Sequence, residues 1–459
     1  MTSTQMQSIA GFTGELIGPG DTGYNDARAV WNVMHDRRPA LIARCTCADD
    51  VSRAIHHANR HGLTIAVRGG GHSLPGHSTV DDGLVIDLRE LNHVLVDPVA
   101  RTVRVGGGAL LGDVDKAVQA HGLVVPAGVV SHTGAGGLTL GGGVGRMMRH
   151  FGLTIDSLLG AEVVLADGRT VHASERELPD LFWGLRGGGG NFGVVTEFEF
   201  QAYPLGDLLV LATFDPLGRI HEVLGHGEAA MAAADARDEL LWTSFVRKGP
   251  AQAPWLPEQY VGTAGVMSLI EWSGDLDEGH QVLSGIQDEL APTASSLDRV
   301  PYLAIQQITD ELLAPGTLHA YVNAGFTGAL TAELIDAIAT QGAKVGSPLS
   351  VIEVLAMGGA IGKVASDATA FPHRSARWLI NVPGQWSDAA DTAEEQRWVR
   401  ETFAALEPHL TGGAYSNFME GDEQQAADVA YGSTLARLRA VKRRYDPQNT
   451  FRLNQNIVP

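Results

Sequence analysis

The chain has 459 residues, with 53 Asp plus Glu against 33 Lys plus Arg and a net charge of −20. That balance argues against nucleic acid and anionic membrane surfaces as main partners, since both are polyanions. Apolar residues reach 44 %, enough for two or three ordinary globular domains. The two cysteines, Cys45 and Cys47, lie in "ARCTCADD". They supply neither a disulfide framework nor a C-x-x-C metal motif, so they read as a packed strand end and no metal is expected. The first residues lack a basic start followed by an apolar run. No apolar stretch approaches the roughly 18 residues of a membrane span. The expectation is a cytoplasmic protein, monomeric or homodimeric.

In chain order, "ALIARCTC" predicts a strand. "ADDVSRAIHHANRHG" predicts an amphipathic helix with Asp49 or Asp50 near its cap and Gly62 as its stop. "LTIAVR" is a second strand that runs directly into "GGGHS". "LVIDL" follows as a strand, and "HVLVD" and "RTVRVGGG" as the arms of a hairpin. "LLGDVDKAVQAHG" carries its apolar residues on one helical face and stops at Gly122. "GAEVVLADGRTVHAS" is a hairpin turning at Asp167-Gly168. "ELPDLFWGLRGGG" predicts a helix and "FGVVTEFEFQAYP" a strand. Residues 206–424 mix strand-like runs with helices such as "TAELIDAIATQGA" and "AEEQRWVRETFAALEPH", and read as a separate α+β domain. A basic helix in "YGSTLARLRAVKRRYDPQNTF" leads to "RLNQNIVP".

Glycine is the informative residue. There are 56, densely clustered at 69–76, 134–145 and 187–193. Glycine weakens helices and strands, so such clusters serve tight turns or close backbone approach to a ligand. Structural turns alone could explain one cluster, but three in one half of a chain favour a ligand. No G-x-x-x-x-G-K-[ST] phosphate loop is present. "GAGGLTLGGGVG" is too glycine-rich for a dinucleotide fingerprint that must open a long helix. Loops from separate strands can instead offer backbone N–H groups to a pyrophosphate and to the rim of a flat ring. His72 sits inside the first cluster, where a neutral imidazole could act as a nucleophile.

The run "VRGGGHSLPGHSTVDDGLVIDLRELNHV" resembles the FAD-binding signature of the berberine bridge enzyme-like flavoproteins, within the wider vanillyl-alcohol oxidase fold. The likeness continues through "VPAGVVSHTGAGGLTLGGGVGRMMRHFGLTIDSLLGAEVV", "LFWGLRGGGGNFGVVTEFEF" and "VKRRYDPQNTFRLNQNIVP". It implies an α+β, bilobed fold of the PCMH type. Residues 1–205 would bind FAD, 206–424 would form a substrate domain with an antiparallel sheet flanked by helices, and 425–459 would return to the FAD domain. It implies an 8α-histidyl bond between His72 and FAD. In the first motif it points to Arg68, Gly69, Gly70, Gly71, Ser73, Gly76 and His77 as further cofactor-binding positions. In the second it points to Val130, Thr133, Gly134, Gly136, Gly137, Leu138, Gly142, Gly143 and Gly145. Val195 follows, with Asn454 and Asn456 in the closing N-x-N. Val130 stands where many members carry a cysteine bonded to the flavin, so a single link is expected, as in the 6-hydroxy-D-nicotine oxidase-like bacterial branch.

Hydride abstraction needs a C–H bond over the flavin and a base for the accompanying proton. The resemblance points to Tyr415 in "GGAYSNFMEG", whose plainer role is packing between lobes. The nicotine oxidase branch is read as lacking this tyrosine, so its substrate class is not carried over. Glu353 in "SVIEVLAMGGA" is a carboxylate among apolar neighbours, costly unless paired or functional; its plainer placement is the solvent side of a sheet. His132 and His373 are weaker candidates. Thr133 falls where the family places a small residue that influences oxygen access, and a threonine there is similar to the favorskiase-like members. The leading expectation is an oxidase that passes electrons from a small organic substrate to O2, giving H2O2. The alternatives are a flavin-dependent oxygenating enzyme of natural-product biosynthesis and a flavin-bearing protein without turnover.

Overall fold

A computed structural model describes residues 8–233, 237–420 and 426–459; the junction expected at 424/425 lies outside them. The helix after the first strand runs Ala48–His61 and stops at Gly62, whose φ of 66° is left-handed and therefore suits glycine. Cys47 occupies its N-cap without a side-chain cap bond. Asp49 and Asp50 fall in its first turn as expected, and the buried Asp50 carboxylate accepts from the Thr13 and Thr46 backbone N–H groups at 2.8 and 3.0 Å.

Four strands form the first sheet in the order Glu15–Ile17, Leu41–Arg44, Leu84–Asp87, Ile65–Arg68. All but the first run parallel. Ile65–Arg68 delivers the chain straight into the 69–76 glycine segment. A second, antiparallel sheet takes the order Val94–Asp97, Thr102–Gly106, Val194–Gln201, Leu158–Val164, Thr170–Ser174. Its predicted hairpin turns at Gly168, φ 83°. The helix expected in "ELPDLFWGLRGGG" is shorter, Pro179–Leu185, because proline sets its start and the glycines its end.

The third main sheet is antiparallel throughout, with seven strands in the order Ala294–Val300, Leu208–Pro216, Ala264–Trp272, Leu240–Lys248, Ile352–Ala356, Trp378–Trp386, His319–Thr327. Side chains alternate across it. Trp242, Val246, Ile270, Val354 and Ile380 join one core with residues of helices Ile220–Ala233, Leu276–Leu290, Ala332–Gly342 and Thr392–Leu406. The intervening residues Thr243, Phe245, Leu269 and Glu353 face an internal cavity. Arg374 crosses to the other lobe, donating to both carboxylate oxygens of Asp156 at 2.7 Å. No helix among the described residues is long and apolar enough to cross a membrane.

Ala414, Met419 and Tyr431 already belong to the core of the second sheet. The helix Leu435–Tyr445 then anchors the closing segment. Lys442 is fully buried and donates to Asp446 at 2.7 Å and to the carbonyls of Asn191 and Phe451 at 2.8 Å. Removing one member of a buried pair strands the other charge, at a cost of about 3 kcal/mol. Lys442→Met should therefore lower unfolding stability by about that amount in urea titration, and unchanged stability would refute this locking role.

Candidate functional site

Between the glycine segments and the seven-stranded sheet lies a cavity of about 1060 Å³. A site for one drug-sized ligand spans roughly 300–1,000 Å³, so this cavity has room for a larger ligand beside a small one. One wall is nearly bare backbone, from Gly69–Gly71, Gly134, Gly136, Gly137, Gly189 and Gly190. Two of these glycines hold the loops together. A Cβ on Gly70 would lie 2.3 Å from the Gly134 nitrogen, and one on Gly134 would lie 2.2 Å from the Gly70 nitrogen. Gly137 and Gly190 differ, because a Cβ there meets nothing within 4 Å. These two leave space in the cavity instead of serving a backbone contact.

His72 lines this wall. Its ring stacks on Trp31 with centroids 5.0 Å apart, and its Nε2 lies 2.6 Å from His132 Nδ1. Burial first, then the neighbouring His132, push its pKa down to about 3, so the imidazole is neutral over the physiological range. Trp31 is itself held, with its indole N–H donating to the Leu313 carbonyl at 2.7 Å.

The facing wall is the sheet. Val210, Ala212, Phe245, Met267, Leu269 and Leu355 make it largely apolar. Glu353 faces the cavity, not bulk solvent, and one of its carboxylate oxygens accepts from the Asn381 amide at 2.9 Å. Desolvation raises its pKa above the ordinary carboxylate value, against the lowering effect of that amide and of Arg146. Arg146 reaches from the glycine-rich segment to pair with Glu271 on the sheet, and both are buried. The Tyr415 hydroxyl, on the wall as well, accepts from Gly143 N–H at 3.0 Å, Val144 N–H at 3.2 Å and the Asn417 amide at 2.9 Å. Burial nonetheless raises its pKa, the three donors offsetting only part of the effect.

Most of the residues singled out from the sequence meet here: Gly69, Gly70, Gly71, His72, Ser73, His77, Val130, Thr133, Gly134, Gly136, Gly137, Leu138, Gly145, Val195, Asn454, Glu353 and Tyr415 all line the cavity. Five expected cofactor positions stand off its wall. Arg68 turns away and donates to the Ala27 and Ala29 carbonyls at 2.5 Å, bracing the chain before Trp31. Gly76 makes room for the His35 ring, Gly142 for Phe371 and Tyr415, and Gly143 for Thr154. Asn456 lies next to Ile457, which is pinned by its N–H to Asn191, and is not on the wall. His373 stacks on Phe326, also away from the cavity. Sequence reasoning missed the Arg146–Glu271 pair, Asn381 and Trp31. Glu271, in "VMSLIEWSG", carried the same signal as Glu353, a carboxylate inside an apolar strand.

The wall suits a flavin dinucleotide. His77 Nε2, Ser78 Oγ and Asn454 Oδ1 are buried on it without a hydrogen-bond partner among the described residues. Bare glycine backbone flanks them; among the described residues the arginines lining the cavity are Arg146, which is paired with Glu271, and Arg247 on the sheet. Residues 39–174 match the family model of an FAD binding domain, and residues 414–458 match the berberine and berberine-like model. The (R)-6-hydroxynicotine oxidase of Paenarthrobacter nicotinovorans is 33 % identical over 470 residues, covering 100 % of this chain and 99 % of that protein. The crystal structure of 6-hydroxy-D-nicotine oxidase from Arthrobacter nicotinovorans superposes with a TM-score of 0.83 at 29 % identity, covering 98 % of both chains. Glucooligosaccharide oxidase from Acremonium strictum, which carries a 6-S-cysteinyl, 8α-N1-histidyl FAD, shares the fold with a TM-score of 0.83 at 24 % identity over 97 % of both chains. The chain belongs to the berberine bridge enzyme-like family of FAD-linked oxidoreductases, and the expected α+β architecture is the one observed.

Because Gly137 faces open cavity, Gly137→Val should fold normally yet exclude the cofactor. Flavin absorbance per protein should fall by at least about tenfold, the effect of blocking a close backbone approach, with the far-UV circular dichroism unchanged. Full flavin content would show that Gly137 does not border the cofactor.

Proposed function

We propose that this protein oxidises a small organic molecule with O2 as electron acceptor, on an FAD carried by a single covalent bond to His72. The observation that carries this reading is the placement of a neutral, ring-stacked imidazole on the glycine wall, facing a sheet that presents one carboxylate with an oxygen free of Asn381. When bound, FAD supplies a two-electron acceptor that O2 restores, with hydrogen peroxide as by-product. The oxidase activity named for the hydroxynicotine relative supports the same reaction class here.

A single bond fits the thiol inventory. Val130 lines the cavity, while Cys45 is buried in the core of the first sheet and Cys47 caps a helix. Glu353 acts as the base. A raised carboxylate pKa brings proton affinity closer to neutrality, where a base works best, and the Asn381 amide fixes the carboxylate's orientation. Tyr415 takes a different role. Three N–H donors already occupy its oxygen lone pairs, so its own proton is the group it can offer to a ligand atom. The largely apolar sheet face excludes water around both.

Glu353 must be ionised to accept a proton, so kcat/KM should fall as pH drops through a pKa above the usual carboxylate range. Glu353→Gln should lower kcat about 100-fold and remove that acid limb. An unchanged pH profile would assign the base elsewhere. Peroxide should form in a 1:1 ratio with substrate consumed, measured by oxygen electrode and peroxidase assay. Oxygen from labelled O2 appearing in the product would instead establish oxygenation.

A further inference from the structure

Among the described residues, the side-chain hydrogen bond of His72 is to His132, which does not itself line the cavity. Its Nδ1 is 2.6 Å from His72 Nε2, and its own Nε2 is buried without a partner among the described residues. Trp31 stacks on His72 at an interplanar angle of 22°, and His132 lies against it at 31° with centroids 4.8 Å apart. The imidazole of His72 is therefore held in one orientation by two rings.

We propose that His132 is the positioning residue that selects the reactive tautomer of His72 and removes its proton during flavin attachment, directing the bond to His72 Nδ1. This rests on the reading that His72 carries the flavin. Two neutral imidazoles at this separation share one proton between facing nitrogens. With that proton on His72 Nε2, the Nδ1 lone pair is free toward the cavity. With it on His132 instead, His72 Nδ1 carries a hydrogen and cannot form the bond.

The net step joins His72 Nδ1 to the 8α-methyl carbon of FAD. One methyl C–H bond breaks and its proton leaves, and one imidazole proton leaves from His72 Nε2. The two electrons released pass to O2, which takes up two protons and becomes H2O2. Bond formation at Nδ1 would leave the ring cationic unless the Nε2 proton departs, and His132 Nδ1 stands in line to receive it. Burial lowers the His132 pKa, and the Asp310 charge offsets part of that effect, favouring a proton on His132. That carboxylate is fixed by the Ser131 N–H at 3.0 Å, one residue from His132.

The test compares wild type, His132→Ala, His132→Gln and His72→Ala, each purified and incubated aerobically with FAD. The readout is the flavin that remains on the protein after acid precipitation, followed over time, with the linked nitrogen identified on the isolated flavin peptide. Wild type should be fully linked through Nδ1 and His72→Ala not at all. Both His132 variants should bind FAD but link it about 100-fold more slowly, the usual effect of losing a positioned base. Added imidazole should restore linkage in His132→Ala, which a purely structural role would not allow. Linkage at the wild-type rate in the variants, a bond through Nε2, or slow linkage that imidazole does not rescue would overturn the proposal. A wild-type protein without acid-stable flavin would instead overturn the covalent reading itself.

Discussion

On the cavity's glycine side two backbones, Gly70 and Gly134, meet so closely that a methyl group on either would overlap a main-chain nitrogen of the other. That contact joins the two loops that carry His72 and His132. His72 lies two residues beyond Gly70, and His132 two residues before Gly134. Pressing the two loops together is what brings the imidazoles within 2.6 Å. A larger residue at either glycine would force the two loops apart.

The opposite side of the cavity obeys a different rule. There the sheet's two-residue period decides what the cavity sees, and cross-strand register decides which groups meet. Glu353 opposes Asn381 on one neighbouring strand and Phe245 on the other. A carboxylate is thereby set between an amide that orients it and a ring that dries it. Glu271, on the strand beyond, is neutralised by Arg146 from the other lobe. The two acids on one face thus have different fates, one paired and one available.

Much of this was legible in the residues themselves. The helix ending at Gly62, the hairpin turning at Gly168 and the ligand-facing glycine segments follow from local rules about left-handed backbone and amphipathic periodicity. The family motifs carried most of the cavity wall with them. What stayed hidden depends on distant pairing. Nothing near Arg146 announces Glu271, which lies 125 residues away, and nothing near His72 announces Trp31 as its stacking partner. Arg68 shows the converse error. A motif places it beside the ligand, but its guanidinium finds two carbonyls of the preceding loop and turns inward. Tyr415 was expected as a base, whereas the three donors around its oxygen favour a donor role, an effect visible only once the Gly143–Val144 backbone is in place.

Phe451, Leu453 and Asn454 line the same cavity as Gly69–Gly71. Nearly four hundred residues of chain thus separate the first and last pieces of one binding wall. On the ribosome, the early loops emerge long before their counterpart, so the nascent polypeptide has only part of this wall during most of translation. The wall is complete only once the closing stretch has cleared the exit tunnel and Lys442 has pinned it. A complete wall therefore exists only in polypeptides that carry that stretch.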